Sequence, residues 1–247
     1  MKVFFVSDLH LGAPTYEASR LREKHFVQWM DSVKHEAQAL FLVGDVFDFW
    51  FEFGKVVPQG YVRILGKLAE WADAGIPIHI FLGNHDLWYK NYLAEEFGAT
   101  IHSQPFATEI FGKNYYIAHG DGLGPGDYGY KFIRSIFTNP ICKWLFARLH
   151  PNLSVRLAEF SSRLSGSYTK RETEPTFYGE KEALLIHSKA ILQQNPATNY
   201  FIYGHRHILR ETLLSDSATC FYLGDWIRYF SYLEVSAENV QLKQYPR

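Results

Sequence analysis

Short apolar stretches alternate with stretches of helical periodicity along most of the chain. The apolar stretches are four to seven residues long and rich in β-branched and aromatic residues, which is typical of buried strands. They predict strands at Lys2–Ser7, Leu40–Val43, Ile76–Leu82, Tyr115–Ala118, Tyr200–Tyr203, Cys220–Leu223, Tyr229–Val235 and Val240–Tyr245. Two intervening stretches place apolar residues on one helical face: first Phe26, Trp29, Met30 and Val33, then Val62, Leu65, Leu68, Ala69 and Ala72.

The order of these elements predicts an α/β fold. Strand–helix–strand alternation favours buried parallel strands covered by helices. Gly75 and Pro77 follow the second helical stretch in the order expected at a helix C-terminus. The last two strands flank Ala237-Glu238-Asn239, which favours a hairpin and therefore a mixed sheet or a second sheet. We expect residues 1–247 to form one domain.

The segment 123–175 departs from this alternation. Its helical stripes begin with Phe132, Ile133, Ile136 and Phe137. Asn139-Pro140 is typical of an N-cap followed by proline at the first helical position. Lys131–Arg171 holds eight basic residues and one acid, a charge of +7, whereas the rest of the chain holds 17 basic and 25 acidic residues, a charge of −8. This asymmetry predicts a helical insertion with a task of its own.

Composition narrows the class of protein. The 247 residues are 47% apolar and 21% charged, close to globular averages, which excludes disorder and fibrous repeats. A net charge of −1 creates no overall field for nucleic acid, so nucleic acid is not an expected partner. Two cysteines exclude a disulfide framework, and no apolar run reaches the roughly 18–20 residues that span a bilayer. We expect a cytoplasmic protein without a transmembrane segment and leave open contact with a membrane surface.

Residues able to bind metal ions follow five of the predicted strands. They are carboxylates, an amide and imidazoles: Asp8, His10, Asp45, Asn84, His119, His205 and His207. Because the carboxyl ends of parallel strands meet at one edge of a sheet, we expect these side chains to share one crevice. Gly44, Gly83 and Gly204 precede three of them, which we interpret as room for sharp turns and for close approach of the backbone to a bound oxyanion.

The donor set indicates two metal ions. Seven oxygen and imidazole donors exceed the three or four ligands of one zinc ion. They suit two cations that share a carboxylate and stabilise both the attacking and the leaving oxygens of a phosphoryl displacement. The ligand chemistry favours Mn²⁺, Fe or Zn²⁺ over Ca²⁺, and of these we expect Mn²⁺. Each motif alone is also compatible with an ordinary turn, but their joint occurrence in this order favours a site.

In this order the motifs resemble the signature of the calcineurin-like metallophosphoesterases. The matching motifs are Asp8-x-His10, Gly44-Asp45-x-x-Asp48, Gly83-Asn84-His85-Asp86, His119 and Gly204-His205-x-His207, within residues 1–122 and about 176–226. The resemblance implies two mixed β-sheets flanked by helices, with a dinuclear metal site at one edge. One ion would be held by Asp8, His10, Asp45 and His207. The other would be held by Asp45, Asn84, His119 and His205, and a hydroxide between the ions would attack phosphorus.

The same resemblance implies roles for three further residues. His85 would be catalytic, stabilising the developing charge and protonating the leaving oxygen. Asp86 would orient His85, and Asp48 would accept a hydrogen bond from a ligand histidine. The alternatives are an ordinary turn histidine at position 85 and an aspartate at a helix start at position 48.

A narrower resemblance is to the UDP-2,3-diacylglucosamine pyrophosphatases of lipid A biosynthesis. It is carried by the helical insertion and by the tracts FFVSDLHLG, GDVFDFWFE, HGDGL, GHRH and LGDW. This family cleaves a nucleotide-linked glycolipid to UMP and diacylglucosamine 1-phosphate beneath a helical cap that shelters acyl chains. The resemblance implies such a substrate for this chain and contact with the inner membrane surface.

The cap and the aromatic tract supply candidate substrate contacts. These candidates are Trp50, Asp121, Arg134, Lys143, Trp144 and Arg148. Cations there would suit a diphosphate or anionic headgroups, and apolar stripes would suit acyl chains. The alternative is an ordinary solvated amphipathic lid. Likewise, an acyl or base pocket and loop packing beneath the cap are equally compatible with Phe47, Phe49, Trp50, Phe51 and Phe53.

One residue departs from the narrower pattern. The well-known proteobacterial members carry arginine after the asparagine ligand, whereas this chain carries His85, as ordinary phosphoesterases do. The substitution leaves the metal chemistry intact and keeps other substrates open. We therefore retain a general phosphodiesterase or phosphoprotein phosphatase as one alternative. A metal-free, non-catalytic scaffold on the same fold is the other.

Overall fold

The computed structural model describes residues 1–164 and 175–246. Eleven strands and seven α-helices are assigned within these ranges. The strands are β1 (Lys2–Val6), β2 (Ala37–Leu42), β3 (Ile78–Phe81), β4 (Thr100–His102), β5 (Phe106–Ile110), β6 (Lys113–Ala118), β7 (Thr198–Tyr203), β8 (Leu209–Ser215), β9 (Ala218–Leu223), β10 (Ser231–Val235) and β11 (Val240–Gln244). The helices are α1 (Tyr16–Val33), α2 (Val62–Asp73), α3 (Tyr92–Phe97), α4 (Tyr128–Thr138), α5 (Pro140–Phe146), α6 (Pro151–Leu164) and α7 (Ala183–Gln194).

The strands form two mixed sheets, which confirms the predicted fold class. The six-stranded sheet has the order β11-β10-β1-β2-β3-β4, with β1 to β4 parallel and the β10–β11 hairpin added antiparallel to β1. The five-stranded sheet has the order β5-β6-β7-β9-β8, in which the central three strands are parallel and both edges antiparallel. The carboxyl ends of parallel strands from both sheets therefore supply loops to the site.

The two sheets pack face to face between helices. Alternate residues of β1 serve different layers, because successive side chains of a strand point to opposite faces. Phe5 lies between the sheets with Phe41 and Phe221, whereas Phe4 on the other face packs with Trp29 of α1. The outer face of the five-stranded sheet is covered by α7. This packing holds the strand ends rigidly.

The helical signals near the insertion also appear in the structure. Asn139 caps α5 by accepting N–H bonds from Ile141 and Cys142, and Pro140 occupies the first helical position. Helices α4, α5 and α6 lie within the segment 123–175, and residues 165–174 lie outside the described residues. No helix in the described ranges has the length and apolar character needed to cross a bilayer.

Candidate metal centre

The seven predicted donors lie together at the carboxyl ends of β1, β2, β3, β6 and β7. They come from both sheets, so the inference that they share the edge of a single sheet is corrected. Asp8, His10, Asp45 and Asn84 follow strands of the six-stranded sheet. His119, His205 and His207 follow strands of the five-stranded sheet. The centre is thus assembled where the two sheets face each other.

Asp45 lies between two groups of donors. Its Oδ2 atom is 3.4 Å from His10 Nε2 and 3.6 Å from His119 Nε2. On the side of His10, Asp8 Oδ1 is 3.4 Å from His207 Nε2. On the side of His119, Asn84 Oδ1 is 3.3 Å from His119 Nε2 and 2.7 Å from His205 Nδ1. This arrangement provides two adjoining positions that share one carboxylate.

The donor atoms fit divalent cations. Asp8, His10 and His207 bring ligand atoms within 4.8 Å of one another, as do Asp8, Asp45 and His119. Asp8 Oδ1 is buried and accepts no hydrogen bond from the described residues. A buried carboxylate oxygen surrounded by imidazole nitrogens is poorly satisfied unless a cation joins them. The oxygen and nitrogen donor set suits Mn²⁺, Fe and Zn²⁺.

Five of the seven donors have left-handed backbone conformations. The φ angles lie between 45° and 64° at Asp8, His10, Asp45, His205 and His207. Such angles are uncommon outside glycine and concentrate at functional sites, where the surrounding structure compensates the strain. The loops are therefore shaped to direct these side chains inward.

The three glycines that precede donors make room for donor side chains. A Cβ on Gly44 would lie 2.4 Å from His119 Nδ1, and one on Gly83 would lie 2.1 Å from Asp45 Oδ1. A Cβ on Gly204 would lie 1.9 Å from Ser7 Oγ and 2.7 Å from Asp8 Oδ2. The observed close approach is thus between the loops themselves, which differs from our interpretation of a backbone approaching a bound oxyanion.

The buried donors shift one another's pKa values through their charges. Burial alone would raise the pKa of Asp8, but the imidazoles of His207 and His10 outweigh it and hold this pKa below its ordinary range. The pKa of Asp45 is likewise depressed despite burial, first by His119. Burial and the neighbouring His119 lower the pKa of His205 to about 4. Burial would lower the pKa of His119, but the Asp45 carboxylate outweighs it and raises this pKa well above its ordinary value. The carboxylates are thus balanced by an imidazolium, and a cation bound here takes the place of its proton, because a metal-bound histidine is neutral.

Asp48 lies beneath His10 and His85. Its Oδ1 atom is 3.3 Å from His10 Nδ1 and 3.3 Å from His85 Nδ1. Its backbone carbonyl oxygen is 3.2 Å from the same nitrogen of His85. These contacts orient both rings. The sequence predicted that Asp48 contacts a ligand histidine, but not that it also contacts His85.

The prediction that Asp86 orients His85 is wrong. Asp86 is fully buried, and its carboxylate accepts backbone N–H bonds from Asp45, Val46, Phe47 and Gly83 and the hydroxyl of Tyr89. Burial and then the charge of Asp45 raise the pKa of Asp86 to about 6. Asp86 therefore ties the loop after β2 to the loop after β3 and does not contact the ring it follows in sequence.

Two sets of contacts join the helical cap, α4 to α6, to the loops of the centre. Asp121 follows His119 by two residues and accepts the Tyr130 hydroxyl at 2.6 Å, while Arg134 Nε lies 2.9 Å from the same oxygen. On the loop after β3, Trp88 Nε1–H donates to the Phe137 carbonyl oxygen at 2.8 Å. These contacts fasten α4 to the loops after β6 and β3, with Asp121 buried and Arg134 half-buried.

The aromatic tract packs as a support for the cap. Trp50 is fully buried and stacks on Phe47, so its assignment as a substrate contact is corrected. Phe51 and its neighbours Phe49 and Phe53 approach the ring of Phe146 on α5 instead. Of the two interpretations of this tract, the structure favours loop packing beneath the cap.

The remaining candidates lie on α5 or just after it. Lys143 and Trp144 belong to α5, and the Arg148 guanidinium lies 4.8 Å from the centroid of the Trp144 ring. Burial, and then the positive charge of Lys90, lower the pKa of Lys143. Trp144 is exposed.

Two residues beside the centre were not among the predicted site residues. Tyr130 bonds Asp121, and its ring centroid lies 6.3 Å from that of His205. Asp225 contacts His207 Nδ1 at 3.0 Å. A signal for Asp225 was present, because Gly224-Asp225 follows a predicted strand just as Gly44-Asp45 does.

Comparisons with known proteins agree with this fold. Residues 1–209 match the model of the calcineurin-like phosphoesterase family, and the chain belongs to this family. It is an enzyme that hydrolyses phosphorus ester or anhydride bonds with divalent metal ions, which excludes the non-catalytic alternative.

Among its relatives are two UDP-2,3-diacylglucosamine hydrolases, which confirms the narrower resemblance. The protein from Porphyromonas gingivalis is 39% identical, over 94% of this chain and 92% of its own length. The protein from Shewanella pealeana is 27% identical, over 100% of this chain and 99% of its own length. A dimetal phosphatase from Danio rerio shares the fold, with a TM-score of 0.50 at 11% identity over 99% of this chain and 95% of its own.

Proposed function

We propose that the chain hydrolyses UDP-2,3-diacylglucosamine to UMP and diacylglucosamine 1-phosphate. The observation that carries this proposal is an apolar and basic cap fastened beside the metal donors. Its exposed apolar side chains include Phe132, Ile133, Ile136, Phe137, Ile141, Trp144 and Leu145. Residues 128–158 contain five lysines and arginines and no acid. Such a surface suits a substrate that joins acyl chains to an anionic diphosphate, and it matches the substrate named for both relatives.

We assign the metal positions as the donor geometry suggests. Asp8, His10 and His207 would hold one cation, Asn84, His119 and His205 would hold the other, and Asp45 would contribute to both. The bound cations supply an activated water and neutralise the charge of the diphosphate. We propose Mn²⁺ as the physiological ion, with two ions per chain by elemental analysis of the purified protein.

We assign His85 to the leaving side of the reaction. Asp48 holds its Nδ1 atom through the carboxylate and the backbone carbonyl, which fixes the ring plane. The Asp48 carboxylate also stabilises the imidazolium form of the ring, in which Nδ1 keeps its proton toward Asp48 and Nε2 carries the proton that is given to the leaving oxygen as negative charge develops there. Arg134, positioned by Asp121, offers a second cation for the diphosphate.

We also propose that the enzyme works in the cytoplasm, in peripheral contact with the inner membrane. Exposed apolar side chains interspersed with lysine and arginine on the cap support this placement, because such surfaces bind anionic lipid headgroups. Co-sedimentation with vesicles containing anionic lipid tests it. Equal binding to neutral and anionic vesicles, or none to either, contradicts it.

The decisive experiment measures UMP release from UDP-2,3-diacylglucosamine by the Mn²⁺-loaded protein. We expect release that stops on chelation and is restored by Mn²⁺. The same sugar nucleotide without acyl chains is the matched control and should be a much poorer substrate. Absence of UMP release, alongside brisk hydrolysis of bis(p-nitrophenyl) phosphate, would instead favour a general phosphodiesterase, the alternative that His85 supports.

A further inference from the structure

The segment that follows β9 forms a tight turn directly beneath the metal centre. Its first acidic residue, Asp225, is 1% exposed, and its Oδ1 atom accepts N–H bonds from Ile227, Arg228 and Tyr229 at 2.6 to 3.3 Å. The backbone carbonyl oxygen of Asp225 accepts an N–H bond from Ser231 at the start of β10. The carboxylate is therefore fixed by the turn it organises.

The second oxygen of this carboxylate faces a metal donor. Asp225 Oδ2 is 3.0 Å from His207 Nδ1, while His207 Nε2 lies 3.4 Å from Asp8 Oδ1 and 3.3 Å from His10 Nε2. A carboxylate that accepts the Nδ1 proton of an imidazole selects the tautomer whose Nε2 lone pair is available to a cation. His207 thus has its proton side directed at Asp225 and its donor side directed into the centre.

The same turn also bonds to the loop that carries Asp8, another donor of this metal position. Trp226 N–H donates to the Asp8 carbonyl oxygen at 3.1 Å, and Gly224 N–H donates to the Ile208 carbonyl oxygen at 2.9 Å. Asp8 and His207 are almost 200 residues apart in sequence. The three consecutive residues 224–226 nevertheless bond to the loops that carry both. The donors on the opposite side of Asp45 have other supports, since His119 Nδ1 faces the Val43 carbonyl oxygen at 2.8 Å.

We propose that Asp225 is a positioning residue that controls occupancy of one of the two metal positions, the one formed by Asp8, His10 and His207. This inference rests on the metal positions given under the proposed function. The Asp225 carboxylate acts through His207, by fixing its tautomer and ring plane, and leaves the position of Asn84, His119 and His205 unchanged.

The test is metal binding by Asp225→Asn. Dialysis of the purified variant against graded Mn²⁺, followed by elemental analysis, should give one ion bound as in the unaltered protein. The Kd of the other ion should rise roughly 10–100-fold, the usual effect of removing a partner of a metal-bound histidine. In a His207→Ala background the same substitution should cause no further loss. Retention of both ions at unaltered Mn²⁺ concentrations overturns the proposal, as does an equal loss of both.

Glu52→Gln is the matched control. Glu52 is also a buried carboxylate that accepts three backbone N–H bonds, from Lys90, Asn91 and Tyr92, and its contacts do not include a metal donor among the described residues. It should retain both ions. If Asp225→Asn does not fold, the unaltered Zn²⁺-loaded protein labelled with ¹⁵N-histidine decides by NMR. A proton on His207 Nδ1 supports the proposal, and an unprotonated Nδ1 overturns it.

Failure of this inference is distinguishable from failure of the proposed function. An unaltered protein that binds two ions and releases UMP, combined with unaffected binding in Asp225→Asn, overturns only the role of Asp225. An unaltered protein that does not bind two ions removes the assignment of the metal positions, and the role of Asp225 with it.

Discussion

The left-handed backbone of the donors is held by contacts between distant loops. Asp8 N–H donates to the Gly44 carbonyl oxygen and His10 N–H to the Asp45 carbonyl oxygen, while the Asp8 carboxylate accepts the His205 N–H. Conformations of this kind cost of order 1–3 kcal/mol each unless their surroundings hold them. Each donor loop is therefore stabilised by the next, and the donors behave as a unit.

Gly83→Ala should damage this unit severely. The added Cβ would lie 2.1 Å from Asp45 Oδ1 and 2.3 Å from its backbone nitrogen, so the shared carboxylate must move. We expect a loss of roughly 1–3 kcal/mol in the free energy of unfolding, as for overpacking elsewhere, and loss of bound metal. Gly66→Ala, on α2 with open space around its Cβ, is the control and should gain roughly 0.5–1 kcal/mol. Calorimetry and elemental analysis check both, and normal metal content in Gly83→Ala would contradict the argument.

His85→Ala should separate metal binding from turnover. The ring is held by Asp48 and is not among the seven assigned donors, so both ions should remain. Loss of a general acid or charge-stabilising group should lower kcat roughly 10²–10⁴-fold. His35→Ala, at an exposed position after α1, should leave kcat unchanged. Unaltered turnover in His85→Ala would remove this histidine from the mechanism.

The sequence predicted which residue types lie at the site, but not which side chains contact one another there. Strand ends followed by Asp, Asn and His identified seven residues that the structure brings together. Adjacency suggested Asp86 as the partner of His85, yet both residues lie in the turn after β3, where adjacency in sequence does not fix the direction of a side chain. Asp86 turns into the protein to bind backbone N–H groups, while Asp48, 37 residues before His85, contacts its ring.

The sequence analysis missed three strands, all at sheet edges, and the helices α3 and α7. All eight predicted strands overlap observed ones, but β4, β5 and β8 were absent from the prediction. The side chains of β5 and β8 are half-buried or exposed, because these strands form the two edges of the five-stranded sheet. Without a buried face they lack the apolar run that identified the central strands.

The cap helices present apolar side chains that have no role in a water-facing lid. Ile141→Ser should leave stability within about 0.5 kcal/mol, because the side chain is 68% exposed. If an acyl chain covers this residue, the loss of burial should lower kcat/KM for the diacylated substrate roughly 10–100-fold. Hydrolysis of bis(p-nitrophenyl) phosphate should not change. Leu21→Ser on α1, also 68% exposed, is the control; an equal effect in both variants would contradict acyl binding by the cap.

The donors come from two different sheets, and they lie together because the two sheets pack against each other. Periodicity located the strands but could not divide them between sheets, since buried strands of either sheet have the same apolar pattern. The division into two mixed sheets came from the resemblance of the motifs. Docking of the two sheets thus determines whether the donors can act together.

Metal should stabilise the folded chain, because the complete donor set exists only in the folded state. Binding of one ion at 100 times its Kd adds about 2.7 kcal/mol. For a chain of 247 residues this corresponds to roughly 5–10 °C in Tm. Calorimetry with Mn²⁺ and with chelator measures the difference, and Asp45→Ala should abolish most of it. Identical Tm values in both conditions would contradict binding between the sheets.

The position of β1 between β10 and β2 has a consequence for synthesis of the protein. Strand β1 leaves the ribosome long before β10 and obtains its second neighbour only when residues 231–235 emerge. The carbonyl oxygen of Asp8 likewise accepts its N–H bond only after Trp226 has emerged. A nascent polypeptide interrupted before this point cannot complete its catalytic centre, so hydrolysis begins only after residues 226–235 have been made.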